Sequence, residues 1–122
     1  MSISVKLVCV YVRDQDAALA FYRDKLGFTV ATDAPFGESG RWLEMAAPGG
    51  GPRVVLSLPQ SPANVVGGFS NIIFTTDDIQ KDYELLQNNG VEVTAPDVQP
   101  WGTFIIFTDL DGNQFVTGTT DD

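Results

Sequence analysis

Four aromatic side chains stand in contexts that could grip a flat molecule. Tyr11 closes a β-branched run, Phe36 lies between Pro35 and Gly37, Trp42 follows Gly40 and Arg41, and Trp101 lies between Pro100 and Gly102. Glu44 is two residues from Trp42, so on a strand the two share a face. Ring faces beside a carboxylate suit a planar cation, because the ring quadrupole and the charge both attract it. Asn71 and Gln114 could add amide groups to the same surface. Plainer readings exist for some of these residues. Trp42 could be a core or interface residue, and Glu44 could be solvated or paired with Arg41 or Arg53. Cys9 reads as a small buried hydrophobe rather than a reactive thiol. Asp109 and Asp111 could pose as a carboxylate pair, but they flank Gly112 in the stretch LDGN, where turn chemistry accounts for them. The run Gly49–Gly51 precedes a strand and has no following Lys, so it reads as a hairpin turn and not as a phosphate loop.

Composition removes much other chemistry. The chain has 122 residues, no His and one Cys. A His base, a Ser-His-Asp triad and any His-containing zinc site are excluded, as are a CxxC pair and an internal disulfide framework. A metal held by carboxylates, amides and water remains open. Sixteen acidic against seven basic residues give a formal charge of −9. That balance argues against binding a nucleic-acid backbone. It serves solubility, and it permits attraction of a cationic ligand. No segment has the roughly 18 apolar residues of a membrane span. The N-terminus lacks a secretory signal's apolar run and cleavage site, so the expected location is cytoplasmic.

The elements that must position these residues repeat. Residues 5–12 read as a buried strand. Asp14 caps a helix that Gly27 ends, with Leu19, Tyr22 and Leu26 on one stripe. Strands over 28–32, 41–46 and 53–58 follow, separated by a loop at Pro35, Gly37 and Gly40 and by the turn PGGGP at 48–52. After a connector over 61–68 the order recurs. A strand spans 69–76, a helix capped by Asp77 or Asp78 runs to Asn89 and Gly90, and strands cover 91–93, 101–108 and 114–119, with the final residues 119–122 frayed. Each half is too small to bury both faces of its own sheet. The expectation is therefore one α+β domain over 1–122, built of two βαβββ modules at about 1–60 and 68–119. A mixed sheet would form a cup with the helices outside. Strand alternation would point Leu7, Cys9, Tyr11, Trp42, Glu44, Asn71, Ile73, Thr75, Gln114 and Val116 into it. Trp101 would sit at its mouth and Phe36 on a loop overhanging it.

VYVRDQDAALAFYRDKLGF, NIIFTTDDIQKDYELLQNNGVEV and FTDLDGNQFV, in this order, resemble the vicinal oxygen chelate superfamily of glyoxalases, bleomycin-resistance proteins and extradiol dioxygenases. Leu110 replaces that family's usual Pro. The resemblance covers nearly the whole chain and implies paired βαβββ modules, each giving half of a cup-shaped site. It also implies where a divalent metal would be held: at Leu7, at Ser70 or Asn71, near Val54, and at Val116. Leu and Val have no lone pairs to offer, and one neutral oxygen at Ser70 or Asn71 does not hold a metal.

The expected function is thus a metal-independent small-molecule binding protein without cofactor, of the drug-sequestering kind, with a cationic aromatic drug as its ligand. The ligand-binding residues are Tyr11, Phe36, Trp42, Glu44, Asn71, Trp101 and Gln114, with no catalytic residue and no metal ligand. The resemblance further implies a homodimer, while the charge balance and the lack of an apolar span argue for no nucleic-acid and no membrane partner. Two alternatives stand beside it. One is a glyoxalase- or dioxygenase-like enzyme with Glu44 as base and Asn71 or Gln114 as polarising amide. The other is a non-catalytic subunit whose cup is filled by side chains.

Overall fold

The computed structural model describes residues 1–37 and 40–119. Chain contacts divide it into two compact units, Met1–Val66 and Gly67–Asp122. Each is a mixed sheet with one helix, and neither sheet is closed, so the class is α+β as expected.

In the first unit, β1 (Leu7–Tyr11), β2 (Thr29–Phe36), β3 (Gly40–Ala46) and β4 (Arg53–Ser57) are ordered β1-β4-β3-β2. Strand β1 runs parallel to β4, and the other pairs are antiparallel. Helix α1 (Gln15–Asp24) begins where Asp14 accepts a hydrogen bond from the Ala17 amide at 3.0 Å, satisfying one of the donors a helix start leaves unpaired. The chain leaves it through Gly27 at φ +75°, a conformation glycine adopts without Cβ strain. The buried stripe of α1 is Gln15, Ala18 and Tyr22. It covers the sheet face carrying Val10, Leu43, Met45, Val54 and Leu56, all nearly inaccessible. Burying each such aliphatic side chain stabilises the fold by about 1.5–3 kcal/mol. Tyr22 and Phe28 meet edge to face at 5.5 Å.

The second unit repeats the plan. Its strands are β5 (Gly68–Thr76), β6 (Glu92–Val93), β7 (Asp97–Gln99), β8 (Gly102–Thr108) and β9 (Asn113–Thr119). The order is β5-β9-β8-β6, with β7 also paired to β8 and β5 parallel to β9. Helix α2 (Ile79–Asn88) is capped by Asp78, which accepts from the Lys81 amide at 3.1 Å and so settles the choice between Asp77 and Asp78. Its core is aromatic, with Phe115 5.2 Å from Phe107 and 5.4 Å from Phe74.

Three local expectations change. Strand β2 continues through Pro35 to Phe36 instead of ending at Thr32. It is an edge strand, where a missing N–H costs the ladder nothing. Phe36 therefore closes a strand and is not on an overhanging loop. The short strand β7 was not anticipated. The Thr94–Pro96 stretch divides the second unit's counterpart of β2 into β6 and β7. Thr119 closes β9 and is not frayed, and the fraying expected at 120–122 lies outside the described residues.

Candidate functional site

The site begins where β3 and β4 part. Their ladder pairs Glu44 with Val55 and Met45 with Val54. Beyond it, the Gln15 side chain fills the gap, its Nε2 donating to the carbonyls of Arg41 and Leu56, each at 2.8 Å. Gln15 was not singled out from sequence. A polar residue at the first turn of a helix gives no signal of its burial, and only the parting of two distant strands creates a need for it.

Beside this bridge lies an open cavity of about 230 Å³, lined by Cys9, Tyr11, Gln15, Phe36, Trp42 and Ser57 with their neighbours Gly40, Arg41, Leu58 and Gln60. It is somewhat below the roughly 300–1,000 Å³ of drug-sized ligand pockets. Phe36 and Trp42 stand 5.7 Å apart with their planes tilted by 50°, and form its aromatic wall. Register explains the grouping. Cys9 and Tyr11 pair with Val55 and Ser57, and Val55 in turn pairs with Glu44, so these side chains share the sheet face opposite α1. Cys9 is consequently exposed on that face, which corrects its reading as a buried hydrophobe.

Glu44 is held by two donors. Its Oε2 accepts from Trp42 Nε1 at 2.6 Å and its Oε1 pairs with Arg53 at 3.1 Å. The indole hydrogen bond, seconded by Arg53, holds its carboxyl below the usual carboxylate range. An ionised carboxylate committed to two donors is a poor proton acceptor, which weighs against Glu44 as a base. Arg41 faces the other way, toward Asp16 and Asp33, with its guanidinium held protonated mainly by Asp16.

The remaining expected residues belong to the second unit. Asn71 is exposed and sits in a register shift between Phe69 and Ile73, at φ +64°. The irregularity breaks the alternation by which Asn71 was assigned a face. Gln114 is exposed beside it, paired with Phe69. Trp101 is 66% exposed and stacks on Phe104 at 5.5 Å with planes 13° apart. Phe104 was not expected to take part in such a surface.

The positions implied for a metal do not fit one. Val54 pairs with Val8 and Met45 on the α1 side, so the site-facing residue of that strand is Val55. Leu7, Val55 and Val116 offer only hydrocarbon. The Ser70 hydroxyl donates to the Gln114 carbonyl at 2.8 Å and accepts from the Ile72 amide at 3.2 Å. Among the described residues, no group of three His, Cys, Asp or Glu side chains is placed to hold a metal, and no helix is long and apolar enough to cross a membrane.

Comparison with known proteins bears on this geometry. The family model for the Glyoxalase/Bleomycin resistance protein/Dioxygenase superfamily matches residues 4–117. The Bacillus subtilis (strain 168) protein YetH is 39% identical over 110 residues, covering 89% of this chain and 92% of YetH. The crystal structure of TnmS3, an antibiotic binding protein from Streptomyces sp. CB03234, superposes with a TM-score of 0.88 at 37% identity, covering 99% of each chain. That of a superfamily member from Sphaerobacter thermophilus DSM 20745 gives a TM-score of 0.88 at 33% identity, over 96% of this chain and 97% of the other.

Proposed function

The chain belongs to the Glyoxalase/Bleomycin resistance protein/Dioxygenase superfamily, and within it we propose a metal-independent binding protein for an aromatic small molecule of the antibiotic kind. The observation that carries this reading is the cavity walled by Phe36 and Trp42 and flanked by Tyr11. Likeness over nearly full length to an antibiotic binding protein supports it. A flat ring entering such a wall removes apolar surface from water and stacks on the indole.

Three features support binding over catalysis. Of the positions the family implies for a metal, Leu7, Val54 with its neighbour Val55, and Val116 cannot ligate, and Ser70 or Asn71 offers one neutral oxygen. Glu44 is engaged by Trp42 and Arg53. The cavity of the first unit is open and not filled by its own side chains, which also weighs against a filled, purely structural subunit. In this reading both units belong to one cytoplasmic domain that works as a homodimer. Asn71, Trp101 and Gln114 are the ligand-binding residues proposed on the second unit's own sheet.

The test is a panel of planar aromatic compounds titrated against the full chain by calorimetry. Saturable binding is expected, weakened about tenfold or more by Trp42→Ala. Affinity should be the same after exhaustive chelation. Failure of every compound to bind would end the reading, and a stoichiometric metal in purified protein would end its metal independence.

A further inference from the structure

The cavity's wall and its charge are set by one array. Trp42 Nε1, both Glu44 oxygens and the Arg53 guanidinium form a chain at 2.6 and 3.1 Å. The Glu44 side chain is only 12% exposed, whereas that of Arg53 is 48% exposed. A nearly buried carboxylate beside an aromatic wall would by itself favour cations. Here its charge is spent inside the protein. Alternation along β4 explains how: Arg53 and Val55 point to the same side as Glu44, while Arg41 lies on the opposite face of β3 and pairs elsewhere. The described residues lining the cavity include no carboxylate, and the one charged residue among them, Arg41, turns its guanidinium to Asp16 and Asp33 on the opposite face.

We infer that Arg53, by holding Glu44 against the Trp42 indole, makes this cavity select planar aromatic molecules that carry no positive charge. Two physical consequences follow. The indole N–H, the strongest polar group of the aromatic wall, is already bonded, so the wall presents ring faces and not a donor. A cation approaching these faces gains ring attraction but meets no free carboxylate, because Glu44 is already engaged by Arg53. A neutral ring gains its stacking without needing one. Arg53 is therefore a specificity-determining residue, and Glu44 a positioning residue acting through Trp42. This inference rests on the binding function proposed above and narrows its ligand class. It also revises the cationic ligand expected from sequence.

Three tricyclic probes of matched shape separate the two claims: acridone, which is neutral, 9-aminoacridine, a cation at pH 7, and acridine-9-carboxylate, an anion. Their affinities for the full chain are measured by calorimetry at fixed salt, for wild type, Arg53→Gln and the double variant Arg53→Gln/Glu44→Gln. Wild type should prefer acridone to 9-aminoacridine by about tenfold. Arg53→Gln frees the Glu44 charge and should shift that ratio toward the cation by about tenfold, and the double variant should restore the wild-type ratio. The quantity read is a ratio of affinities, which general loosening of the fold does not shift toward the cation. Wild type preferring 9-aminoacridine, or a ratio unmoved by Arg53→Gln, overturns the inference and leaves the binding function standing. Binding of none of the three overturns the inference, while the binding function falls only if the wider panel of aromatic compounds fails as well.

Discussion

Replacing Gln15 should damage this fold more than its place at an exposed helix start suggests. The Gln15 amide satisfies two carbonyls, Arg41 O and Leu56 O, at the point where β3 and β4 stop pairing. The residue is 8% exposed, so water does not readily take its place. In Gln15→Leu both carbonyls lose a donor and nothing replaces it. An unsatisfied buried acceptor costs about 1–3 kcal/mol, and a carbonyl with a second lone pair sits toward the lower end, so the pair should cost about 2–4 kcal/mol. Gln15→Glu keeps the volume and inverts the chemistry, because a carboxylate then faces two carbonyl oxygens. Its pKa must rise in the folded state, since only the protonated form can donate. The folded state then binds more protons than the unfolded one. The penalty is therefore smallest below the unfolded Glu value of about 4.3 and grows as pH rises through the raised folded value. Urea unfolding of wild type, Gln15→Leu and Gln15→Glu at pH 4.5 and pH 8 reads both effects. A loss under about 0.5 kcal/mol for Gln15→Leu, or a Gln15→Glu penalty that does not grow with pH, would refute the bridging role.

The turn between β8 and β9 makes a second prediction. Asp109 Oδ1 accepts from the amides of Asp111 and Asn113, and its Oδ2 from Asn113 Nδ2, all at 2.9 Å, while Asn113 Oδ1 accepts from Gly67 N at 2.8 Å. Asp109→Ala strands several buried donors and should cost about 3–5 kcal/mol in urea unfolding, with Asp109→Asn intermediate. At Asn71, the only described non-glycine residue at positive φ, Asn71→Gly should be neutral or slightly stabilising and Asn71→Val should cost about 1–2 kcal/mol. Equal stabilities for those two variants would show that the left-handed conformation is not kept in solution.

Repeat, helices and strand faces were legible because each is written locally. Asp14, Gly27 and Gly90 mark helix ends by their own chemistry, and the apolar alternation through Leu43 and Met45 fixes which side of β3 meets α1. The pairing of Glu44 with Arg53 and not Arg41 was also within reach, since Arg41 and Glu44 have opposite parity on one strand. What was not legible depends on partners distant in sequence. Pro35 reads as a breaker until β2 is known to be an edge strand. Asn71 reads as one more alternating residue until its register shift against β9 is seen. Gln15 carries no mark of burial at all.

The repeat also explains why the two tryptophans should behave differently in solution. Gly40 pairs with Phe36 and Gly102 with Gln99, so Trp42 and Phe104 occupy the same step of their strands, and so do Glu44 and Ile106. Each unit thus carries an aromatic pair at the same hairpin end, Phe36 with Trp42 and Trp101 with Phe104. In the first pair the indole N–H is bonded to a carboxylate, whereas the carboxylate opposite Phe104, Asp97, accepts from Gln99 at 2.7 Å. Trp42 is fixed through its N–H to Glu44, whereas Trp101 is 66% exposed and held by stacking on Phe104. Single-tryptophan proteins made by Trp101→Phe and Trp42→Phe should therefore emit differently, with Trp42 the bluer and Trp101 the redder and more readily quenched by acrylamide. Glu44→Ala in the Trp101→Phe background should loosen the Trp42 ring, seen as lower steady-state anisotropy, while the same change in the Trp42→Phe background leaves Trp101 unmoved. Blue, protected emission from Trp101 would mean that a second copy of the chain covers that pair. Anisotropy of Trp42 indifferent to Glu44→Ala would mean that Phe36 alone fixes the indole and that the carboxylate does not position it.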